Sequence, residues 1–183
     1  MDIELGSVHA IRNWRLGLNH RLPSLFSMVR LSNGFTAWPY GILEAKCARF
    51  SHDAPSFDCT CGIYVAVKDY FDIYEGCLFG GVELFGKIIE HEYGYRAQYA
   101  RITHISPLVL CCGCRDPIDI HYGKFYSVYR YLKHGNIDQR IITGVYCEEC
   151  WWEKAPPLKE NEHEYSYLRV RRIFNKAVSL YTK

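Results

Sequence analysis

The sequence predicts an α+β protein, with a β-rich amino-terminal module, a lobe built around paired cysteines, and a carboxy-terminal helix. Three observations lead there. Short apolar runs between turn residues fill the first two-thirds of the chain, two Cys-x-x-Cys pairs bracket a later segment, and an amphipathic repeat closes it. The 183 residues have room for one large domain or two small ones, and either buries enough apolar surface to fold without a disulfide framework. The character of the chain changes at Ser106-Pro107, which suggests a module over 1–106 and a four-cysteine lobe with its helix over 107–183.

In the first part, Gly62-Ile63-Tyr64-Val65-Ala66-Val67 and Gly81-Val82-Glu83-Leu84-Phe85-Gly86-Lys87-Ile88-Ile89 read as strands. Tyr93-Gly94-Tyr95-Arg96-Ala97 reads as a turn that returns the chain into a further strand through Tyr99 and Ile102, so an antiparallel sheet or small barrel is expected. Beyond Pro107, Tyr122, Phe125, Tyr129 and Leu132 recur at helical spacing. They predict a helix stopped by His134-Gly135-Asn136, with Arg130 and Lys133 where its dipole favours cations. Ala155-Pro156-Pro157 interrupts the chain. Glu162 to Leu180 then reads as a last helix with Val170, Phe174, Ala177 and Tyr181 on one face.

Charges of both signs are mixed along the chain, and a formal net charge of +2 gives no general polyanion-binding surface. Any nucleic-acid contact must be a local patch. Met1-Asp2-Ile3-Glu4-Leu5 lacks a basic segment followed by an apolar run, and no later stretch reaches the roughly 18 to 20 apolar residues that span a bilayer. The expected location is the cytoplasm, with no membrane partner. In that reducing setting the 9 cysteines point to metal rather than to disulfides, and their odd number argues against complete internal pairing.

Cys111-x-x-Cys114 and Cys147-x-x-Cys150 have the spacing of a structural zinc site. Each turn can aim two thiolates at one ion about 2.3 Å away, and two turns close a tetrahedral shell. The expected lobe is therefore zinc-ribbon-like or treble-clef-like. Buried free thiols and an iron-sulfur cluster are the alternatives, and spacing leaves zinc and iron-sulfur both open. Cys112 could take the place of Cys111; Cys111 is preferred because both pairs then share one geometry.

Cys47, His52, Cys59 and Cys61 form a second candidate set. Cys59 and Cys61 would share one face of a strand, and Cys47 and His52 would complete a shell of three sulfurs and one nitrogen, although the spacing is not a standard short zinc pattern. His52-Asp53-Ala54-Pro55, Cys59-Thr60-Cys61-Gly62-Ile63-Tyr64 and Leu84-Phe85-Gly86-Lys87-Ile88-Ile89-Glu90-His91-Glu92-Tyr93-Gly94-Tyr95-Arg96-Ala97 carry a likeness. Residues from about 12 to 105 resemble an uncharacterised family of small bacterial and phage-encoded proteins. Its motifs run H-x-A-P, then C-x-C-G-I-Y-A, then W-G-x-V-x-E-H-x-x-G-W-R-A. Trp14, Trp38 and Gly41 fit its opening portion, whereas Val65 replaces an alanine, Phe85 a tryptophan and Tyr95 another aromatic. The resemblance implies a compact intracellular module with a cysteine-histidine cluster, a phage or mobile-element setting, and no particular reaction.

Enzyme signatures are weak. No Walker loop, dinucleotide glycine fingerprint or HExxH helix is present. An HNH-type nuclease would use Asp119, His121, His134 and Asn136 between the cysteine pairs, but Asp119-Ile120-His121 separates acid and base where that layout wants adjacent residues. A Cys111-x-x-Cys114 redox pair lacks a helix to open, and a Cys59/His91 couple lacks a nucleophile motif. Binding features are more numerous. Lys124, Arg130 and Lys133 interleave with tyrosines, Arg169, Arg171 and Arg172 form a basic strip, and Trp151-Trp152 follows the last cysteine. The sequence therefore favours a non-enzymatic, zinc-stabilised adaptor or inhibitor of a protein or nucleoprotein complex, ahead of direct nucleic-acid binding or a divergent nuclease.

Overall fold

The structure is a computed structural model that describes residues 6–31, 34–67, 71–134 and 137–182, with the backbone alone for 28–31, 34–35, 133–134 and 137. The readings made at Met1 to Leu5, at Gly135 and Asn136, and for the side chains of Lys133 and His134 lie outside the described parts. The first five strands are β1 (Val8–Asn19), β2 (Leu22–Leu31), β3 (Gly34–Ala37), β4 (Ile42–Glu44) and β5 (Ile63–Ala66). The long hairpin β6 (Leu78–His91) and β7 (Gly94–Ile105) follows, then β8 (Leu108–Leu110), β9 (Pro117–Asp119), β10 (Tyr126–His134) and β11 (Ile137–Tyr146). Helix α1 (Glu148–Lys154), strand β12 (Glu162–Ser166) and helix α2 (Tyr167–Tyr181) complete the chain.

Strand β1 holds these parts together. Its first half, Val8 to Trp14, pairs with β6, and its second half, Arg15 to Asn19, pairs with β2. Ile11 also meets Ala66 of β5, and Gly17 to Asn19 meet β11. Since β6 pairs with β7 and β7 with β5, the pairings β1-β6-β7-β5 close on themselves as a small antiparallel ring. The other end of β1 opens into β11, β10 and β12, so strands on both sides of residue 106 belong to one ten-stranded sheet. Gly17 is required where β1 meets β11, because a Cβ there would collide with the carbonyl oxygen of Arg140.

The core follows the pleat. Trp14 and Trp38 meet edge to face, with ring centroids 5.6 Å apart, among Leu25, Leu78, Val82 and Leu84. Helix α2 buries Val170, Ile173, Phe174, Ala177 and Tyr181, which is the face that helical spacing predicts. The Tyr181 hydroxyl donates to the carbonyl of Trp38 at 2.7 Å and accepts the Leu25 N–H at 3.1 Å. Burial pushes that phenol up to about 12, so it stays a donor throughout the physiological range.

Two predicted helical segments are strands. Tyr126–His134 pairs along its length with β11, although Tyr122, Phe125, Tyr129 and Leu132 sit at helical intervals. The register shifts between Val128 and Tyr129, where β11 carries the extra residue Thr143 between the partners Gly144 and Ile142. Tyr122, before the strand, is 87% exposed while Phe125 is buried, so the residues at helical intervals share no single buried face. Tyrosine and valine in this run also suit a pleated surface. Glu162–Ser166, expected as the start of the last helix, instead pairs with β10. Tyr165 stacks on Tyr129 at 3.8 Å, and Ser127 Oγ donates to the Tyr165 carbonyl at 2.9 Å. These partners lie far away in sequence, and they outweigh local helix preference.

Tyr181→Phe should leave the buried Leu25 N–H and Trp38 carbonyl without the hydroxyl, lowering stability by about 1–3 kcal/mol. Urea unfolding checks this. An unchanged midpoint would mean that helix α2 is held by apolar contact alone.

Candidate metal centres

The first Cys-x-x-Cys pair occupies the tip of a hairpin. Strands β8 and β9 pair from Leu108↔Asp119 to Leu110↔Pro117, and residues 111–116 connect them. The turn is tightened by the Cys111 N–H to the Asp116 carbonyl at 3.0 Å and by the Arg115 N–H to the Cys111 carbonyl at 3.0 Å. Arg115 takes a φ of 67°. The second pair lies where the β10–β11 hairpin hands the chain to α1, with Cys147 at the N-cap position and Cys150 inside the helix. A Cβ on Gly113 would sit 2.6 Å from Cys150 Cβ, so glycine lets the two turns close on each other.

The four sulfurs of Cys111, Cys114, Cys147 and Cys150 all lie within 4.8 Å of one another. Cys111 Sγ is 3.7 Å and Cys114 Sγ 3.9 Å from Cys147 Sγ. A tetrahedron with metal-sulfur bonds of about 2.3 Å has sulfur-sulfur edges of about 3.8 Å. Cys111 and Cys150 are buried, and Cys114 and Cys147 are half-buried. Burial alone would push the Cys111 thiol up, but backbone N–H groups of Cys147, Cys114 and Gly113 outweigh it and bring the thiol down to about 7. Burial and neighbouring thiols push Cys150 up to about 11. The cluster thus readily accommodates one thiolate, and ionising all four calls for a cation among them.

Cys112 stands apart. Its sulfur accepts the Val145 N–H at 3.4 Å, and burial raises its thiol. Cys111, not Cys112, therefore faces the cluster. Cys77, also outside both clusters, is buried and pushed up to about 11 by that burial. These two thiols act as small core side chains.

The second set also converges. Cys47, His52, Cys59 and Cys61 place their ligand atoms within 4.8 Å of one another, all four half-buried. Cys47 Sγ is 3.8 Å from Cys59 Sγ, and Cys61 Sγ is 4.0 Å from His52 Nε2. The Phe50 N–H points at Cys47 Sγ from 3.3 Å. His52 Nδ1 lies 2.9 Å from the Asp53 carbonyl, a contact that requires Nδ1–H and leaves the Nε2 lone pair facing the sulfurs. The Cys61 N–H draws the Cys59 thiol below its ordinary value, while burial raises Cys61. Both groups of residues could hold a metal ion.

Sequence reading missed Arg96. It is buried at 5% exposure, donates through Nη1 to the carbonyls of Cys59 and Cys61, and donates through Nε to His91 Nε2 at 2.6 Å. A lone arginine in a strand gives no local signal of this role. Desolvation first, and the Arg96 charge second, hold His91 below the ordinary histidine value. His91 serves as a neutral acceptor whose Nε2 lone pair is taken up by the Arg96 N–H, so that nitrogen is not free to act as a base for Cys59.

The remaining candidates are dispersed. Asp119 Oδ1 accepts the N–H groups of His121 and Tyr122 at 2.7 and 3.3 Å, and the His121 ring packs on Phe174 at 5.2 Å. A cavity of about 480 Å³ beside Tyr64, His91 and Tyr93 has no serine, threonine or cysteine among its described lining residues. Arg130 is paired with Glu162 at 2.8 Å. Arg171 donates to the carbonyls of Ile120 and Gly123 at 2.8 and 3.1 Å. Arg169 lies over Tyr165, whereas Lys124 and Arg172 are exposed. Trp151 stacks on Tyr126 at 5.1 Å with nearly parallel rings, and Trp152 is 73% exposed. No described helix is long and apolar enough to cross a membrane.

No family model, curated protein or solved structure matches this chain.

Cys111→Ser should abolish one equivalent of bound metal and lower the melting temperature, whereas Cys112→Ser should leave metal content unchanged; elemental analysis with calorimetry separates them. Equal losses would reassign the ligand. For His91, the depressed value makes stability complete above about pH 6.5, and lost as pH falls through that value toward the folded one. His91→Gln keeps an acceptor that cannot protonate. The variant should therefore show a flatter acid limb than the parent in melting temperatures recorded from pH 7.5 to about pH 5.

Proposed function

We propose that this protein is a non-enzymatic adaptor or inhibitor whose two metal centres hold zinc and stiffen a surface for a protein or nucleoprotein partner. The exposed indole of Trp152 carries this reading. It projects from a short helix anchored through Cys150 at one end of the four-sulfur cluster, while its neighbour Trp151 is packed against Tyr126 and Tyr146. A large aromatic group on a rigid support loses little freedom on binding, which makes such residues frequent anchors of interfaces.

Zinc is favoured by the sulfur spacing. Edges of 3.7 and 3.9 Å match a single tetrahedral ion, whereas an iron-sulfur cluster interposes several atoms and holds its cysteines farther apart. A knuckle on a hairpin tip, a second hairpin and a helix that opens with the last two ligands make a treble-clef-like lobe. Cys47, His52, Cys59 and Cys61 form the second zinc centre in this reading, and no step of chemistry is assigned to either ion.

Glu148 and Glu149 share the helix face of Trp152, and Glu153 follows it, all exposed. That acidic rim fits a partner with an apolar pocket bordered by lysine or arginine, and it opposes a phosphate backbone at this face. Direct nucleic-acid binding is supported less. Its aromatic residues are packed on one another, and two of its arginines already have partners. A nuclease is supported least, since Asp119 caps a turn and His121 packs on the core.

Trp152→Ala should weaken capture of the partner from the native host at least about 10-fold, equivalent to a hot spot of ~1.4 kcal/mol or more, with zinc content and folding unchanged. Quantitative affinity purification reads this. If Trp152→Ala binds as the parent does while Arg172→Glu abolishes binding and affinity falls steeply with salt, the chain contacts nucleic acid directly.

A further inference from the structure

We infer that Arg96 is the counter-cation and loop clamp of the Cys47/His52/Cys59/Cys61 centre, so that this ion binds well only while the guanidinium is in place. This rests on the reading that the second cluster holds a divalent metal.

An arginine side chain stays protonated and is seldom buried without an anion. Arg96 is 5% exposed, yet the ion pairs found among the described residues join Lys46 to Glu44, Arg101 to Glu83, Arg115 to Asp72 and Glu75, and Arg130 to Glu162. None includes Arg96. The groups it does touch are neutral: the carbonyls of Cys59 and Cys61, His91 Nε2, and the ring face of Tyr64 at 5.8 Å. Three thiolates, one neutral histidine and one divalent ion leave a single net negative charge. That charge is the missing anion, and the two carbonyls reached by Nη1 belong to two of the three sulfur ligands.

The backbone is shaped for this approach. Gly62, next to Cys61, has a φ of 127°, and a Cβ there would meet Arg96 Cβ at 3.1 Å and Pro55 Cβ at 3.1 Å. Glycine lets the ligand loop lie directly against the arginine. Tyr64 covers the same spot: its hydroxyl donates to the Thr60 carbonyl at 2.6 Å, and its ring stacks with His91. Arg96 itself is fixed by β7, where Arg96 registers with Tyr64 on one side and Ile89 on the other. A rigid strand thus holds a cation against the turn between Cys59 and Cys61. Fork geometry allows one guanidinium to serve both carbonyls and His91, which a lysine ammonium cannot match. Arg96 does not touch the ion and is a positioning residue.

The test is zinc competition against a chromophoric chelator on the full chain, with the stoichiometry of the parent measured first. Two ions are expected in the parent. Arg96→Gln should weaken the second ion about 10- to 100-fold, the range for outer-shell partners of metal ligands, while the four-cysteine ion is released as in the parent. Arg96→Lys, which keeps the charge but loses the fork, should fall between them and recover part of the affinity. A role in packing alone would not produce that order, and equal affinities across all three proteins overturn the inference. Should Arg96→Gln not fold, Arg96→Lys decides: parental affinity at the second centre refutes the clamp, and a drop of about 10-fold confined to that centre supports it. A parent that binds one ion, lost in Cys111→Ser but kept in Cys59→Ser, refutes the metal reading itself and the inference with it.

Discussion

Strand β1 hydrogen-bonds to four other strands, and that shared pairing is the constraint on which the rest of the molecule depends. Its first half closes the ring with β6 and β5; its second half joins β2 and β11. A strand offers two edges along its whole length, so one strand can serve different partners in succession only if neighbouring chains leave it at the right residue. The switch from β6 to β2 falls between Trp14 and Arg15, beside Trp14, the largest fully buried side chain among the described residues. Gly17 then admits β11. Through these pairings the hairpin that presents Cys147 is tied to the ring whose β5 follows Cys61.

The two centres solve the same electrostatic problem in different ways. Sulfurs packed within 4.8 Å repel one another once ionised. At the four-cysteine centre, backbone N–H groups from Gly113 and Cys147 point at Cys111 Sγ, so the protein's own dipoles favour the first thiolate. At the other centre the nearby buried arginine provides a full charge. The first arrangement needs only tight turns and a glycine at the contact. The second depends on a side chain 35 residues beyond Cys61 in the sequence, delivered by the β6–β7 hairpin.

The packing of the aromatic residues separates structural from exposed groups. Tyr126, Tyr129, Tyr165 and Trp151 stack on one another or on nearby rings along β10, β12 and α1. Trp152 remains outside, touching Tyr126 edge-on, because successive side chains on a helix are rotated by about 100°. The acidic residues near it and the backbone beneath it, which carries Cys147 and Cys150 of the four-sulfur cluster, together give the adaptor reading its chemical content.

What the sequence by itself determined is the set of local choices: the two cysteine and cysteine-histidine groups that converge, the β-rich first part and the buried face of α2, whereas the turn read at Tyr93 to Ala97 falls at Glu92-Tyr93, with Gly94 to Ala97 already in β7. Each is encoded by residues a few positions apart, where sulfur spacing, side-chain alternation or helical period states the geometry directly. Only the tertiary structure decided that Tyr126–His134 and Glu162–Ser166 are strands, that β1 joins the two ends of the sheet, and that Arg96 lies against the Cys59–Cys61 turn. A strand's hydrogen-bond partner and a buried charge's counter-ion are remote in sequence, and local spacing carries no information about which distant segment will supply them.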